Sequence, residues 1–284
     1  MLILSNNLWN CDFNTASWAS RGEDCSADAR VDDLAKAYKT VLPDIIGYQE
    51  MSRHMEAILF PRMHSVKLAD GTEANYEMIT GGYTPLFYRH DKYRQLESGH
   101  FIFPLAFPPY QGSFNDADSK GYTYGVFEDR VDGKQIIVFT AHLWWMSSDE
   151  TSKNYQAGSA EARAAQIKMI CEKADELIAK YNCPVILMGD LNDKLHSPCL
   201  DAALSAGFKE THALCVGARD DRQGYHYCYP DTWRHDPDGV YEDAIDHILI
   251  KNEGKAVVKE FHRFMEPYFE KLSDHFPVYV EVEL

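Results

Sequence analysis

Chemically capable side chains follow four apolar segments of this sequence, each at the point where a strand would end. Asn7 follows LILSN, Glu50 follows DIIGYQ, His142 follows IIVFTA, and Asp190 and Asn192 fall within VILMGDLND. Loops at strand ends commonly carry functional groups, because the strands hold those groups at a sheet edge. We therefore expect these five side chains to share one cleft.

Two further segments add to this set. Asp246 opens the apolar segment DHILI, and the pair Asp274-His275 precedes the last strand-like segment, in LSDHFPV. Carboxylate and amide oxygens are the ligands that Mg²⁺ prefers, and a carboxylate among others can be tuned to deprotonate water. Imidazoles and carboxamides supply donors for phosphoryl oxygens. Each residue alone could be a solvated side chain, a turn or a helix cap. The complete ordered set favours metal-assisted phosphoryl transfer.

The hydrophobic pattern predicts the elements that would position these residues. Helical spacing predicts helices over Ala27–Leu42 and about Ala160–Tyr181, a shorter one opened by Ser197-Pro198 and closed by Gly207, and another capped by Ser52. Apolar or alternating runs predict strands over Leu2–Trp9, Asp44–Gln49, Thr84–Arg89, Arg94–Phe103, Tyr122–Glu128, Gln135–Ala141, Pro184–Met188, Ala244–Ile250, Ala256–Phe264 and Phe276–Val282, with Asp132-Gly133 as a hairpin turn.

Strands outnumber helices in this pattern, and helices separate only some of them. That arrangement predicts an α/β fold in which two mixed β-sheets pack face to face with helices outside. No internal repeat or linker interrupts residues 1–284, so we expect one catalytic domain. The polar-aromatic stretches 144–159 and 217–241 are longer than usual connections and are expected to be binding loops or lids.

The composition limits the range of partners. The formal net charge is −16, with 44 acidic and 28 basic residues, whereas proteins that grip long nucleic acids usually present a basic surface. A local basic cleft would still permit a nuclease. No run of about 18 apolar residues predicts a transmembrane segment. The seven cysteines lack C-x-x-C spacing, so we expect a cytoplasmic protein, or a secreted or periplasmic one if a signal peptide has been removed.

Six short motifs together resemble the endonuclease/exonuclease/phosphatase superfamily nearly end to end. SNNLW is similar to its S-x-N strand, QE to its metal-binding Glu motif, and AHL to its T-H-L motif, with Ala141 in place of the usual Thr. GDLND is similar to its G-D-x-N motif, IDHI to its late Asp strand, and SDH to its terminal S-D-H. The resemblance implies a four-layer α/β sandwich and a metal-dependent phosphoric ester hydrolase. It also implies that Glu50 binds Mg²⁺, or alternatively Mn²⁺, with help from Asn7 and from Asp274, which would act directly or through water.

The resemblance further implies how the ester is attacked. Asp190 would position and deprotonate the attacking water, and Asn192 would hold that water or the phosphoryl group. His275 would donate to the phosphate while Asp246 orients it. His142 would contact the phosphate from the other side.

The sequence leaves the substrate open. Superfamily members cut DNA, RNA tails, phosphoinositides and sphingomyelin, and the acidic charge favours a small-molecule or lipid-derived phosphomonoester or phosphodiester over DNA or RNA. Lys120, in SKGYTYGVFE, lies in a region similar to deadenylase-like members and could touch phosphate, although a solvated surface lysine is the simpler interpretation. Trp144 and Trp145 either stack on substrate or pack their loop, and the same alternatives hold for His226 and Trp233. A catalytically silent binding protein on the same fold is the third hypothesis.

Overall fold

The computed structural model describes residues 1–10, 19–20, 22, 24–224 and 239–284. Within them the helices are α1 (Ala27–Val41), α2 (Arg53–Met63), α3 (Ser159–Tyr181), α4 (Pro198–Ser205) and the single turn α5 (Thr211–Leu214), with short 3₁₀ turns at Tyr241–Asp243, Glu253–Lys255 and Pro267–Lys271. The strands are β1 (Leu2–Asn7), β2 (Ile45–Gln49), β3 (Ser65–Lys67), β4 (Glu73–Ile79), β5 (Leu86–Arg89), β6 (Tyr93–Ile102), β7 (Gly121–Asp129), β8 (Gln135–His142), β9 (Val185–Asp190), β10 (Lys209–Glu210), β11 (Asp246–Lys251), β12 (Val257–Arg263) and β13 (Val278–Glu283).

The strands form two mixed sheets. One sheet has the order β12-β13-β1-β2-β5-β4-β3 and the other has the order β10-β11-β9-β8-β7-β6. In the first, β1 pairs with β2 in parallel and with β13 in antiparallel orientation. In the second, β8 pairs with β9 in parallel and with β7 in antiparallel orientation. The predicted α/β class with two mixed sheets is confirmed.

A central apolar layer joins the two sheets. It contains aliphatic side chains from both facing surfaces, among them Ile3, Ile45, Leu86, Val138, Ile186, Ile248, Val278 and Val280, all fully buried. A Cβ atom added to Gly47 would lie 2.4 Å from Cε of Met188 and 2.7 Å from Cβ of Thr140. The glycine in β2 therefore allows the two sheets to approach closely just behind the ends of β8 and β9.

Helices cover the two outer faces and complete four layers. Helices α1 and α2 pack on the seven-stranded sheet through residues such as Leu34, Tyr38 and Leu59, while α3 and α4 pack on the six-stranded sheet through residues such as Ile167, Ile170 and Leu200. Three of these helices begin at a serine whose hydroxyl accepts a backbone N–H: Ser26, and also Ser52 and Ser197, which the sequence predicts. Burial of the apolar stripes supplies most of the free energy that holds the layers together.

The hairpin of β3 and β4 is absent from the predicted strands. These strands pair at the end of the first sheet around Asp70-Gly71, a turn signal of the same kind as Asp132-Gly133 between β7 and β8. Strand β4 reads EANYEMI, in which polar and apolar residues alternate, but its partner β3 has only three residues and buries only Val66. A short strand near a sheet edge buries little, so its sequence carries a weak signal.

The structure also bears on membrane association and thiol chemistry. Among the described residues, no helix is both long and apolar enough to cross a bilayer. The cysteines within the described ranges are free thiols: Cys25, Cys171, Cys183, Cys199 and Cys215.

Candidate active site

The ends of five strands place the candidate residues at one edge of the sheets. Asn7 ends β1, and Glu50 directly follows the parallel neighbour β2. His142 and Asp190 end the parallel strands β8 and β9 and lie side by side in register. Asp246 begins the antiparallel strand β11 and lies opposite Asp190. Residues far apart in the sequence are therefore brought together by the strand topology alone.

Asp190 lies at the centre of this cluster. Its Oδ2 atom accepts a hydrogen bond from Nδ2 of Asn7 at 2.9 Å and lies 3.5 Å from Nε2 of His142 and 3.9 Å from Nε2 of His275. Its Oδ1 atom accepts from the backbone N–H of Asn192 at 2.9 Å. Burial raises the pKa of Asp190 to about 6, against the opposing attraction of His275. A carboxyl group with a pKa near neutrality is suited to act as a general base.

Unusual backbone conformations aim these side chains. Gly189 has φ of 147°, and a Cβ atom there would lie 2.0 Å from the carbonyl oxygen of Ala141 on β8. The glycine of the G-D-x-N motif is therefore required by the close approach of two backbones. Glu50 and Asn192 are non-glycine residues in the left-handed region, with φ of 56° and 50°. Each such conformation costs about 1–3 kcal/mol, and such strain concentrates at functional sites.

Asn7 presents its amide nitrogen to the carboxylates. Its Nδ2 atom donates to Asp190 and, at 3.3 Å, to Oε1 of Glu50. Its Oδ1 atom accepts the backbone N–H of Trp9 at 2.9 Å. In this arrangement the amide oxygen, which is the atom that could bind a cation, is turned to the backbone. The other carboxylate oxygen of Glu50 accepts the backbone N–H of Asn10 at 2.9 Å.

Asp246 and His275 form a buried pair beside Asp190. Nδ1 of His275 donates to Oδ2 of Asp246 at 2.6 Å. The hydroxyl of Ser273 accepts the backbone N–H of His275 and donates to the carbonyl oxygen of Asn7, so it ties the S-D-H segment to β1. Burial alone would lower the pKa of His275, but the charges of Asp246 and Asp274 outweigh it and hold that pKa well above its usual range.

Glu50 and Asp274 are the residues that could hold a divalent cation. Both line the pocket, and burial together with the neighbouring charge of Glu50 raises the pKa of Asp274 to about 7. Oδ1 of Asp274 is buried and accepts no hydrogen bond from any described residue. No three His, Cys, Asp or Glu side chains within the described ranges form a complete metal cage. That donor set fits Mg²⁺, which uses one or two carboxylates and keeps several waters.

Lys120 is a buried member of the site, so its interpretation as a solvated surface lysine is wrong. The residue is 4% exposed, and its Nζ atom lies 2.7 Å from Nε2 of His142. Burial lowers the pKa of Lys120, although Glu50 and Asp190 oppose that effect. Burial and repulsion by Lys120 and His275 hold the pKa of His142 well below its usual range. The imidazole of His142 is therefore neutral.

These residues open into a pocket of about 520 Å³, which is lined by Glu50, Lys120, His142, Asp190, Asn192, Asp274 and His275 at its base and by Trp9, Asn10, Tyr83, Asp116, Ala117, Ser119, Trp145 and Ile245 around it. Trp145 is 42% exposed, and its Nε1 atom donates to Oδ2 of Asp116 at 2.7 Å. An exposed indole at the rim of a polar pocket can pack against the organic part of a ligand.

The two adjacent tryptophans have different environments. Trp144 is 2% exposed, packs against Phe114, and donates its Nε1–H to Gln156. The hypothesis that Trp144 stacks on substrate is therefore wrong, because its ring is enclosed in the protein. The candidates His226 and Trp233 lie outside the described residues. Sequence reasoning missed Tyr83 and Asp116, since neither follows an apolar strand or belongs to a recognisable motif.

The two packed sheets and the buried aspartate among imidazole and amide nitrogens suit the hydrolysis of phosphate esters. The sequence profile of the Endonuclease/Exonuclease/phosphatase family matches residues 8–275, and the chain belongs to this family. It is a phosphoric ester hydrolase, and its family generally depends on a divalent metal. A search of curated proteins found no match.

Several solved structures share the fold. An endonuclease/exonuclease/phosphatase family protein from Bacteroides thetaiotaomicron has a TM-score of 0.71 and 23% identity, covering 99% of this chain and 94% of that one. The mannosyl-6-phosphatase of Bacteroides thetaiotaomicron VPI-5482 has a TM-score of 0.71 and 23% identity, covering 100% of both chains. D. rerio TDP2, complexed with a single-strand DNA product, has a TM-score of 0.62 and 16% identity, covering 100% of this chain and 99% of that one.

Proposed function

We propose that this protein is a Mg²⁺-dependent phosphatase that hydrolyses a phosphate monoester of a small polar molecule, with a sugar phosphate as the first candidate. The observation that carries the proposal is the placement of Asp190 at the base of an open pocket, where its Oδ2 atom lies within 4 Å of side-chain nitrogens of Asn7, His142 and His275. Both sheets contribute to this pocket, so we also propose that residues 1–284 act as one catalytic domain.

Glu50 and Asp274 would bind the cation. A bound Mg²⁺ polarises a phosphoryl oxygen and neutralises charge that develops on the leaving group. Asn7 is better suited to hold Asp190 and Glu50 in place than to bind the ion itself, because its amide nitrogen faces both carboxylates. We therefore replace the ligand role expected for Asn7 with a positioning role.

Asp190 would accept a proton from the attacking water. Its Oδ1 atom is held by the backbone of Asn192, which leaves Oδ2 directed towards the donors around the pocket base. The raised pKa of Asp190, about 6, lets the carboxylate be ionised at neutral pH and still accept a proton effectively. Asn192 lines the pocket and would hold the water or the phosphoryl group beside Asp190.

His275 would act as the charged donor to the phosphoryl group. Asp246 keeps the imidazole protonated and fixes its orientation through Nδ1, and Nε2 lies 3.9 Å from Oδ2 of Asp190 on the side of the ring that lines the pocket. A preorganised donor at this position stabilises negative charge on the phosphoryl oxygens in the transition state.

The pocket and its surroundings support a small substrate. The pocket volume of about 520 Å³ is in the range of small-molecule sites, and Trp145 with Asp116 offers an aromatic face beside a hydrogen-bond acceptor, which suits a hydroxylated ring. The structural similarity to a mannosyl-6-phosphatase is consistent with this choice. A lipid-derived phosphoester would use the same phosphate site, so the substrate panel described below also contains phospholipids.

A nuclease is the second candidate, and the similar fold of TDP2 with its DNA product is the observation that favours it. The net charge of −16 and the acidic side chain of Asp116 at the pocket rim oppose binding of a polyanionic strand.

A substrate panel with Mg²⁺ and with EDTA tests the proposal. The panel contains hexose phosphates, nucleotides, inositol phosphates, phospholipids and single-stranded oligonucleotides. We expect Mg²⁺-dependent release of inorganic phosphate from a sugar phosphate. Cleavage of oligonucleotides with intact sugar phosphates would establish the nuclease instead, and no turnover across the panel would overturn the phosphatase.

A further inference from the structure

Lys120 is held in the pocket wall by a neutral imidazole. A lysine ammonium group has only donors, so the imidazole of His142, whose Nε2 and Nδ1 atoms lie 2.7 Å and 3.2 Å from Nζ, must supply the acceptor. That requirement agrees with the depressed pKa of His142. The imidazole of His142 is therefore placed to position Lys120.

The buried ammonium group lacks a direct counter-ion. Among the described residues, no carboxylate forms an ion pair with Nζ, and Glu50, Asp190 and Asp116 attract it only from farther away. Burying a charge without a partner costs several kcal/mol. A protein that keeps such a lysine at the wall of a binding pocket has a site ready for an anion.

The backbone around Lys120 is built to hold it. The carboxamide of Asn115, itself 2% exposed, accepts the N–H of Lys120 at 3.0 Å and donates to its carbonyl oxygen at 2.9 Å. The intervening turn contains Ala117 and Asp118, both left-handed with φ of 47° and 62°. Such a clamp fixes the start of the side chain and supports a specific position for the ammonium group.

We propose that Lys120 is a specificity-determining residue whose ammonium group binds the second anionic oxygen of a terminal phosphate, and thereby makes the site selective for phosphomonoesters over phosphodiesters. The inference rests on the proposed function, because it assigns the substrate class of the same site. A phosphomonoester becomes a dianion above a pKa of about 6, whereas a diester keeps a single charge.

The charges in the pocket agree with this assignment. At the base of the pocket, the carboxylates of Glu50, Asp190, Asp246 and Asp274 are formally balanced only when a divalent cation, protonated His275 and charged Lys120 are all present, and Asp116 at the rim adds a further negative charge. Without Lys120 the site would carry excess negative charge before any phosphate entered. That excess negative charge would repel a dianion more strongly than a monoanion.

The test compares Lys120→Met and Lys120→Arg with the wild type on a matched pair of substrates. One substrate is a phosphomonoester that the wild type hydrolyses, and the other is its methyl diester with the same leaving group. We expect Lys120→Met to lower kcat/KM for the monoester by about 100-fold and for the diester by about tenfold or less. The monoester preference should grow from about pH 5 to about pH 8 in the wild type and be flat in Lys120→Met. Lys120→Arg should keep part of the preference because it keeps the charge.

Binding of inorganic phosphate separates this inference from the proposed function. With Mg²⁺ present, calorimetry should show phosphate affinity at least about tenfold weaker in Lys120→Met, while Lys168→Met, on the exposed side of α3, should bind as the wild type does. If the wild type turns over no ester but phosphate binding depends on Lys120, the proposed function fails and the anion site stands. Equal losses on monoester and diester, or unchanged phosphate binding, would overturn the role of Lys120.

Discussion

Asp246→Asn isolates the charge that keeps His275 protonated. Nδ1 of His275 donates to Oδ2 of Asp246 at 2.6 Å, and both side chains are at most 6% exposed. Asparagine keeps the shape of the side chain and removes its charge. The neutral amide cannot support a buried imidazolium, so the substitution should return His275 to its neutral form near neutral pH.

The magnitude follows from the burial of this pair. Removing one partner of a buried ion pair costs about 3–5 kcal/mol of unfolding free energy. The folded pKa of His275 lies above the ordinary value of 6.5, so the stabilisation from this pair is fully present below about pH 6.5 and is lost as pH rises through the folded pKa. The destabilisation by Asp246→Asn should therefore be largest in mildly acidic solution and shrink in alkaline solution.

Asp246→Asn should also lower the activity and change its pH dependence. Near neutral pH, kcat/KM should fall by about 10²–10³-fold, which is the usual effect of losing one charged donor to the transition state. The alkaline limb of the pH profile should move to lower pH. The assay is kcat/KM against pH, together with an NMR titration of the His275 ring protons.

Asp243→Asn serves as the control, because Asp243 forms an exposed ion pair with Lys194 and such pairs contribute about 0–1 kcal/mol. It should leave both the profile and the stability unchanged. An Asp246→Asn enzyme whose alkaline limb and His275 titration match the wild type would refute the assignment of Asp246 as the residue that maintains the charge.

Three further predictions concern the metal site, the backbone and the pocket rim. In EDTA, Asp274→Asn should stabilise the protein by about 2–4 kcal/mol near pH 7. The gain measured by denaturation should grow from about pH 4 to about pH 7, because folding raises the pKa of Asp274 to about 7 and so disfavours its ionised form. Mg²⁺ should stabilise the wild type and not the variant. Gly189→Ala should lower the free energy of unfolding by about 3 kcal/mol, because the added methyl group meets the carbonyl oxygen of Ala141. The control Gly254→Ala, where an added Cβ has nothing within 4 Å, should change that free energy by less than about 0.5 kcal/mol. Trp145→Ala should raise KM for the organic substrate by about tenfold with little change in the denaturation midpoint, and an unchanged KM would remove this residue from substrate binding.

The sequence predicted most of the fold because the long elements carry strong periodic patterns. Helix α3 buries one stripe that includes Ile167, Ile170 and Leu177, and strand β9 is buried on both faces along its whole length. Such patterns can be recognised from the residues of one segment, without knowledge of its neighbours in the fold. The β3–β4 hairpin has a turn signal at Asp70-Gly71 and alternating residues in β4, but β3 has only three residues, so its sequence is too short to indicate a strand that pairs with β4.

The site residues that lie at strand ends could be predicted, because the strand topology determines where those residues lie. Glu50, Asp190 and His275 each adjoin an apolar segment, and the topology brings all three to the same pocket. Lys120 could not be recognised in this way, because its burial depends on the clamp by Asn115 and on His142 from another strand. Such contacts are tertiary and leave no periodic signal in the chain.

The environments of two adjacent tryptophans could not be predicted from the sequence either. Trp144 and Trp145 are adjacent aromatic residues after β8, yet the first is enclosed against Phe114 and the second lies at the pocket rim. The direction of the Asn7 amide is likewise set by the backbone of Trp9. Composition and spacing cannot distinguish these alternatives, because side-chain direction is determined by the packed structure.

The most direct test of the account is phosphate release by the wild type and by Asp190→Asn, measured with the same sugar phosphate and saturating Mg²⁺. We expect the wild type to release phosphate and Asp190→Asn to be slower by at least about 10³-fold, with an unchanged circular dichroism spectrum and denaturation midpoint no lower than that of the wild type. An Asp190→Asn protein that hydrolyses the ester at the wild-type rate would contradict the assignment of Asp190 as the base that activates water.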